Sequence, residues 1–430
     1  MKNVTETYII LGGGLTGLSF AYGKLRKNHS VIVLEKNSHL GGIMRPFVFK
    51  DFIFDFGPHV FRSNDKNIMR FIKSLLYGNF HHISSNPKIY KQGKIFDNVI
   101  PCITLRNIIE LDEHKREKIL RELKNLPSKI DLGNFENTII SQIGETLYYE
   151  FFGEYSRKWW GMDPKELSSD IAPKNLRIGT KEPSYAHITT KFRKISEEIY
   201  PSKDGIFGII KALAHRIKVL GGDIKTNFNV KSLELDGENI SAIVVENKEE
   251  ELELSARECK IISTIPLTIL CDMLNIKCNL LYRADICIFI KLKARKIFDF
   301  SWVYFHDRDI IFSRIYEPQY FSKYNVPKGF TSLCVEVTCF KNDNIWRDRY
   351  LSDKVLSQLL DLRIIKENYK PEILGIAKYP YAYPIYTIDY KQKLKHIYKE
   401  LGYIKNLEVI GRTGSFRYIN MEGCIKWAIY

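Results

Sequence analysis

The sequence has no long apolar run, no paired-cysteine motif and no block of one charge sign. None of its apolar stretches approaches the ~20 consecutive residues that a membrane-spanning helix requires. Residues 1–30 lack a basic region ahead of an apolar core and lack a small-residue cleavage site. We therefore expect no signal peptide, no membrane span and a cytoplasmic location.

The eight cysteines are scattered, with no CxxC pair and no accompanying histidine cluster. This spacing argues against a structural zinc site and against a disulfide framework. We expect reduced thiols and no metal centre. The cysteines are Cys102, Cys259, Cys271, Cys278, Cys287, Cys334, Cys339 and Cys424.

The charge balance favours anionic ligands. The chain of 430 residues carries 65 Lys and Arg against 50 Asp and Glu, a formal net charge of +15. Such an excess suits nucleotides, phosphorylated sugars, nucleic acid or a membrane surface and does not choose among them. Basic residues are mixed with acidic ones, as in residues 112–124, which does not indicate a nucleic-acid arm. We expect a small-molecule substrate and no nucleic acid, allow for peripheral membrane contact, and leave the oligomeric state open.

The first 35 residues have the order of a dinucleotide-binding unit. An apolar strand at residues 8–11 precedes a Gly-x-Gly-x-x-Gly turn, a helix predicted over residues 18–26 and a second strand at residues 31–34. The acid that ends this second strand is close to the roughly 20-residue spacing of the dinucleotide fingerprint. The candidate nucleotide-binding residues of this unit are Gly12, Gly14, Leu15, Thr16, Gly17, Glu35 and Lys36.

Each residue type in this turn has a physical task. Gly12 permits the tight turn, Gly14 lets the backbone approach a pyrophosphate, and Gly17 lets the helix pack closely on the strand. The start of the helix offers free N–H groups to phosphate oxygens. Glu35 can accept hydrogen bonds from ribose hydroxyls.

A second group of motifs carries a family resemblance. Gly41-Gly42 follows Glu35, and Asp55-Phe56-Gly57-Pro58-His59 comes next. With the fingerprint, these residues resemble the FAD-containing superfamily of amine oxidases, protoporphyrinogen oxidases and UDP-galactopyranose mutases. The resemblance implies that Gly41 and Gly42 lie along the FAD pyrophosphate and ribityl chain. It also implies that Gly57, Pro58 and His59 lie beside the isoalloxazine ring.

Two later segments extend this resemblance. In the superfamily, the segment at Asn229-Val230 returns to the FAD domain, so the Val230 backbone is expected at the adenine. Gly411-Arg412 opens a closing turn that would place a further helix start near the flavin. The remaining cofactor candidates are Tyr418, Asn420 and Met421, although the superfamily's mutases usually carry an acid where Asn420 stands.

The resemblance implies an α/β fold: a Rossmann-type FAD-binding domain with an inserted mixed α+β substrate domain. Residues 1–75, 200–265 and 395–430 would form the discontinuous FAD-binding domain. Residues 76–199 and 266–394 would form the substrate domain.

The substrate segments favour the mutase branch. Tyr155 and Trp160 lie in a segment similar to the mutases' Tyr-x-x-Lys-x-Trp-Gly, and Arg314 lies in one similar to Thr-Arg-x-x-Glu. The resemblance assigns Tyr155, Trp160, Arg177, Arg314 and Tyr383 to the nucleotide sugar, with His59 and Arg314 as catalytic residues. Guanidinium groups suit a diphosphate because they bind its oxygens bidentately. In that family reduced flavin takes part directly in opening and reclosing the sugar ring.

Two other functions remain open. An FAD-dependent oxidase or desaturase would remove a hydride from a small molecule, and Lys291 is the candidate for the lysine that many amine oxidases place near the flavin. A non-catalytic flavoprotein would instead bind an anionic surface through the +15 charge.

Overall fold

The computed structural model describes residues 6–100, 102–174, 176–178 and 197–429. The strands are β1 Thr7–Leu11, β2 Ser30–Glu35, β3 Phe47–Phe49, β4 Phe52–Phe54, β5 Phe61–Ser63, β6 Phe80–His82, β7 Lys88–Lys91, β8 Lys94–Asp97, β9 Cys102–Ile103, β10 Arg177–Ile178, β11 Glu197–Pro201, β12 Asp223–Thr226, β13 Asn229–Asp236, β14 Asn239–Glu246, β15 Glu251–Ser255, β16 Cys259–Ser263, β17 Leu281–Leu292, β18 Trp302–Phe305, β19 Arg314–Tyr316, β20 Thr331–Cys339, β21 Glu372–Ile385 and β22 Leu407–Val409.

The α-helices are α1 Leu15–Leu25, α2 Lys66–Leu76, α3 Leu105–Ile109, α4 Glu113–Lys124, α5 Phe135–Ile143, α6 Glu145–Tyr148, α7 Glu154–Trp160, α8 Phe207–Val219, α9 Leu267–Met273, α10 Asn344–Arg347, α11 Leu351–Asp361, α12 Tyr390–Leu401 and α13 Met421–Ile429. A π-helical turn, Tyr149–Gly153, joins α6 to α7. Among the described helices, none is long and apolar enough to cross a membrane.

A five-stranded parallel sheet gathers strands from distant parts of the chain. Its order is β12-β2-β1-β16-β22, and all four pairings are parallel. Strands β1 and β2 are short apolar runs and become the buried centre of the sheet, as expected for a parallel sheet covered by helices. This arrangement confirms the Rossmann-type α/β fold predicted from the sequence. The sheet takes its strands from the three segments assigned to the FAD-binding domain, whose boundaries stay a prediction.

A seven-stranded mixed sheet forms the second large layer. Its order is β21-β17-β20-β19-β18-β7-β8, and the β18–β7 pairing is parallel within an otherwise antiparallel sheet. Every residue of β20 is buried, and β17 is buried over most of its length. Three charged residues of these two strands, Arg283, Asp285 and Glu336, therefore lie inside the protein.

Aromatic packing joins the two layers. Phe289 of β17 lies with its ring centroid 4.9 Å from that of Phe47 and 4.8 Å from that of Phe54. Phe54 and Phe289 are fully buried. Burying each such ring stabilises the fold by about 1.5–3 kcal/mol. The β3–β4 hairpin is thereby held on the mixed sheet, and this fixes the Gly57-Pro58-His59 turn that follows it.

Candidate dinucleotide and substrate site

The first glycine turn is closed by tight backbone contacts. Gly12 has φ +107° and donates its N–H to the Leu34 carbonyl oxygen at 2.8 Å. A Cβ added at Gly17 would lie 2.1 Å from the Gly12 carbonyl oxygen. Both positions therefore require glycine for the fold itself, independently of any ligand.

Gly14 faces open space. It precedes α1, has an extended backbone, and forms no side-chain cap for the helix. A Cβ added at Gly14 would meet no atom of the described residues within 4 Å. Leu15, Thr16 and Gly17 form the first turn of α1, which contains no acidic residue. The N–H groups of this turn thus suit a phosphate placed above Gly14.

The Gly41-Gly42 pair lies beside the first turn. Gly41 donates its N–H to the Gly13 carbonyl oxygen at 2.8 Å, and a parallel bridge joins Gly14 to Gly41. Gly41 and Gly42 have φ of +109° and +57°. Their left-handed backbones form a second glycine wall next to the open space at Gly14.

Glu35 ends β2 with its carboxylate directed at the glycine turn. The side chain is 5% exposed; its Oε2 accepts the Gly13 N–H at 2.9 Å and its Oε1 accepts the Asn37 N–H at 2.9 Å. A carboxylate retains further acceptor sites for hydroxyl groups. Lys36 beside it is exposed.

The β13 segment reaches the same end of the groove. The Phe228 N–H donates to the Glu35 carbonyl oxygen at 2.9 Å. Val230 follows at the start of β13 and is buried. The candidate adenine contact therefore lies near the candidate ribose acid.

The closing turn meets α1. Gly411 has φ +88°, and a Cβ there would lie 2.9 Å from Thr16 Oγ1. The Asn420 side chain accepts the Gly423 N–H at 2.9 Å in the first turn of α13, which begins at Met421. The starts of α1 and α13 thus lie on the same side of the parallel sheet.

The Gly57-Pro58-His59 turn lies against a buried ion pair. Arg314 donates from Nε and Nη2 to the two carboxylate oxygens of Glu336, at 2.6 and 2.5 Å. A Cβ added at Gly57, which has φ +81°, would lie 2.9 Å from Glu336 Oε2. Glu336 is fully buried, so it fixes the Arg314 guanidinium in one orientation beside the turn.

Six aromatic side chains lie around Arg314 and Arg412 and are called the aromatic wall below. The Arg314 guanidinium lies 5.2 Å from the Trp159 ring and 5.7 Å from the Tyr304 ring. Arg412 lies 4.4 Å from the Tyr418 ring and 5.4 Å from the Tyr383 ring. These are cation–π distances. The wall consists of Tyr155, Trp159, Trp160, Tyr304, Tyr383 and Tyr418.

The histidine between the two arginines is neutral. Burial, together with the positive charges of Arg314 and Arg412, lowers the pKa of His59 to about 4. Its Nδ1 is buried and has no hydrogen-bond partner among the described residues. A neutral imidazole with an unused nitrogen can hydrogen-bond a ligand at this point.

A second buried carboxyl, Asp285, lies near the Arg314–Glu336 pair. Burial, followed by the charge of Glu336, raises the pKa of Asp285 well above its ordinary value. Burial therefore disfavours the charged form of Asp285. Two guanidinium groups, those of Arg314 and Arg412, lie around this site, which suits an anionic substrate.

A cavity of about 530 Å³ opens behind Tyr155. The His306 ring stacks on Tyr155 at 4.3 Å between centroids, and both residues line the cavity together with Lys91 and Phe151. One face of Tyr155 is therefore covered by His306, and a planar ligand would have to lie elsewhere along this wall.

The predicted site residues whose side chains are described form two groups in the structure. One further predicted residue, Arg177, has a side chain that is not described. Glu35, Lys36 and Val230 lie at the far end of the groove, whereas His59, Arg314, Arg412, Tyr383 and Tyr418 lie together. Strand β10 pairs with β9 through the Arg177 backbone, but the Arg177 side chain lies outside the described part of the structure. Its substrate contact stays a prediction.

The sequence did not single out three residues of this site. Glu336 is the one acid in β20, whose residues are all buried, and such a residue is rarely buried without a partner. Arg45 and Tyr379 lie between the two groups. Burial raises the pKa of Tyr379 to about 12, the nearby Glu35 charge acts in the same direction, and Arg45 acts against it. Arg45 could have been found from the sequence, because it is a basic residue only three positions after the Gly41-Gly42 pair.

This groove fits a dinucleotide. It has open space above an uncapped helix start, a second glycine wall, a buried acid at one end and an unsatisfied histidine nitrogen near the other. The class defined by fold and site is therefore a Rossmann-type dinucleotide-binding protein.

Sequence comparison agrees with this class. Residues 10–75 match the NAD(P)-binding Rossmann-like domain family. The chain is 26% identical over 168 residues to a dTDP-fucopyranose mutase of Escherichia coli, covering 38% of this chain and 44% of the relative. It is 23% identical over 256 residues to a 4,4'-diapophytoene desaturase of Staphylococcus aureus (strain COL), covering 53% of this chain and 49% of the relative. The chain thus spans about half the length of the curated relatives it matches.

Solved structures match over nearly the whole chain. A reduced UDP-galactopyranose mutase superposes with a TM-score of 0.80 at 21% identity, covering 99% of this chain and 94% of that one. A redesigned putrescine oxidase superposes with a TM-score of 0.60 at 13% identity, covering 99% and 98%. The expected resemblance is confirmed: the chain has the fold of the FAD-dependent superfamily of amine oxidases, protoporphyrinogen oxidases and UDP-galactopyranose mutases.

Proposed function

We propose that this chain is an FAD-dependent enzyme that interconverts the pyranose and furanose forms of a nucleotide sugar. One observation carries the proposal: five residues from four separate segments meet beside the dinucleotide groove. They are His59, Arg314, Tyr383 and, from the closing turn, Arg412 and Tyr418. Two fixed cations and an aromatic wall suit a diphosphate joined to a base and a sugar.

FAD would lie along the groove. Gly12 to Gly17 and Gly41-Gly42 would hold its pyrophosphate, and Glu35 would bind a ribose hydroxyl. Reduced FAD would supply the nucleophile and the electron pair for opening and reclosing the sugar ring. The isoalloxazine ring would lie near His59, whose free Nδ1 offers one hydrogen bond and no charge.

The substrate would lie between the expected position of the isoalloxazine ring and the aromatic wall, beside Arg314. Glu336 uses Nε and Nη2 of Arg314, which leaves Nη1 for a phosphate oxygen. Such fixed donors stabilise a departing diphosphate without reorganising during the reaction. The base would lie along the aromatic wall towards the cavity behind Tyr155, and the wall would exclude water from the sugar.

The reaction is tested with nucleotide sugars and controlled flavin reduction. Dithionite-reduced protein is incubated with UDP-galactopyranose or dTDP-fucopyranose, and the products are separated by chromatography. The proposal expects furanose product with reduced flavin, little product with oxidised flavin, and no net consumption of an oxidant. Oxygen uptake with an amine or polyene substrate, and no furanose, would contradict it.

An oxidoreductase is the second candidate, because the desaturase relative matches more of this chain than the mutase relative does. The amine-oxidase form has less support. The Lys291 ammonium group forms a salt bridge of 2.5 Å with Glu372. Lys291 lies eight positions along β17 from Arg283, the residue of that strand that contacts α7 and therefore lies near the aromatic wall. Binding of FAD without turnover of either substrate class would favour the non-catalytic alternative.

A further inference from the structure

The last turn of α7 is held by an arginine from the neighbouring sheet. Arg283 of β17 is 5% exposed. Its Nε donates to the Trp159 carbonyl oxygen at 2.9 Å, and its Nη2 donates to the carbonyl oxygens of Lys158 and Thr338, both at 3.1 Å. The final carbonyl groups of a helix lack intrahelical partners, so Arg283 satisfies two of them and ties them to β20.

The Arg283 guanidinium packs closely against an aromatic ring and a glycine. The guanidinium lies 4.6 Å from the Phe340 ring. Gly161, which follows α7 with φ +72°, would place an added Cβ only 2.2 Å from Arg283 Nη1. A lysine could not bind these divergent carbonyls together, because its ammonium lacks the rigid fork.

A lysine side chain fastens the same turn to a second strand. Lys158 donates from Nζ to the carbonyl oxygens of Phe305 and Asp307, at 2.9 and 3.0 Å. The turn is thus linked both to β20 and to the end of β18. Rigid placement of this short helix fixes the aromatic side chains that it carries.

We propose that Arg283 is a positioning residue for the proposed reaction. By holding the end of α7, it keeps Trp159 against Arg314 and Trp160 within 6.3 Å of Tyr383, ring centroid to ring centroid. It thereby sets the width of the substrate cleft without touching the substrate. This inference rests on the proposed function of the same site.

The test is Arg283→Lys in the flavin-loaded enzyme, with Arg349→Lys as the control because Arg349 is exposed. A displacement of about 1 Å in a substrate-positioning contact can cost about 100-fold in kcat/KM. We expect Arg283→Lys to raise the KM for the nucleotide sugar and the Kd for UDP by roughly 10–100-fold, with kcat changed less. Flavin content should match that of the control. Unchanged KM and Kd in a folded Arg283→Lys protein would overturn the inference.

A second variant, Gly161→Ala, disturbs the packing of Gly161 against the Arg283 guanidinium without changing Arg283 itself. It tests the inference if the Arg283→Lys protein does not fold. Its Cβ would push on Nη1 while leaving every hydrogen-bonding group in place, so the same rise in KM and Kd is expected. Normal KM and Kd in that variant would count against the inference. If wild-type protein binds FAD but neither UDP nor dTDP, the proposed function fails first. The Arg283 inference is then judged on near-UV circular dichroism: Arg283→Lys should change the signal that Trp160→Phe removes, and an unchanged signal overturns it.

Discussion

Replacing Gly14 should separate cofactor binding from folding. Gly14 has φ −79° and ψ −178°, a conformation open to any residue, and an added Cβ meets no described atom within 4 Å. Valine is a poorer helix N-cap than glycine, which lowers the free energy of unfolding by about 0.5–1 kcal/mol. It also restricts the unfolded chain, which raises the free energy of unfolding by about the same amount. Gly14→Val should therefore change the free energy of unfolding by at most about 1 kcal/mol. In a chain of this length that shifts Tm by only about 1 °C.

The same substitution should abolish flavin binding, because the valine methyl groups would fill the space assigned to the pyrophosphate. The assay is the ratio of flavin to protein absorbance after purification and FAD titration, alongside the thermal melt of flavin-free protein. Gly17→Ala is the contrasting variant. Its Cβ would lie 2.1 Å from the Gly12 carbonyl oxygen, so it should destabilise the fold itself by about 1–3 kcal/mol or more. A folded Gly14→Val protein that retains wild-type flavin content would refute the assignment of this turn.

Three further outcomes are expected. Arg314→Ala should lower stability by about 3–5 kcal/mol in denaturant melts, since it leaves Glu336 buried without its cation. Arg314→Met with Glu336→Gln should restore stability but not UDP affinity; restored affinity would contradict the phosphate role. Burial raises the pKa of Asp55 to about 7, so its contribution to stability is full below about pH 4 and is lost as the pH rises through 7, by about 4 kcal/mol. Asp55→Asn should flatten that profile, and an unchanged profile would remove Asp55 as its source. Lys291→Met should leave flavin content and mutase turnover unchanged, and loss of turnover would revive the amine-oxidase alternative.

The strand–helix–strand unit that carries the candidate nucleotide-binding residues was predictable because its signals are local. The glycines, the helix start and Glu35 lie within one strand–helix–strand unit, and the physical task of each residue follows from its position in that unit. The helix itself begins at Leu15, directly after Gly14, rather than at residue 18. The open helix start therefore lies closer to the turn than periodicity alone indicated.

The substrate side was less predictable because its contacts are distant in sequence. Arg283 meets Trp159 across 124 positions, and Tyr155 meets His306 through the fold of the mixed sheet. Strand register decides these meetings, and composition does not reveal register. Glu336 and Arg283 could still have been noticed, because each is a charged residue within a largely apolar strand. A charged residue in such a strand is expected to be buried and to need a hydrogen-bond or ion-pair partner.

The proposed function depends above all on FAD binding at the N-terminal glycine turn. The most direct measurement is the cofactor released by heat from purified wild-type protein, identified by chromatography and mass and counted against protein concentration. We expect about one FAD per chain, or full uptake of added FAD by protein purified without it. A protein that releases no flavin, and whose absorbance and melting temperature do not respond to FAD, would rule out FAD binding at this turn.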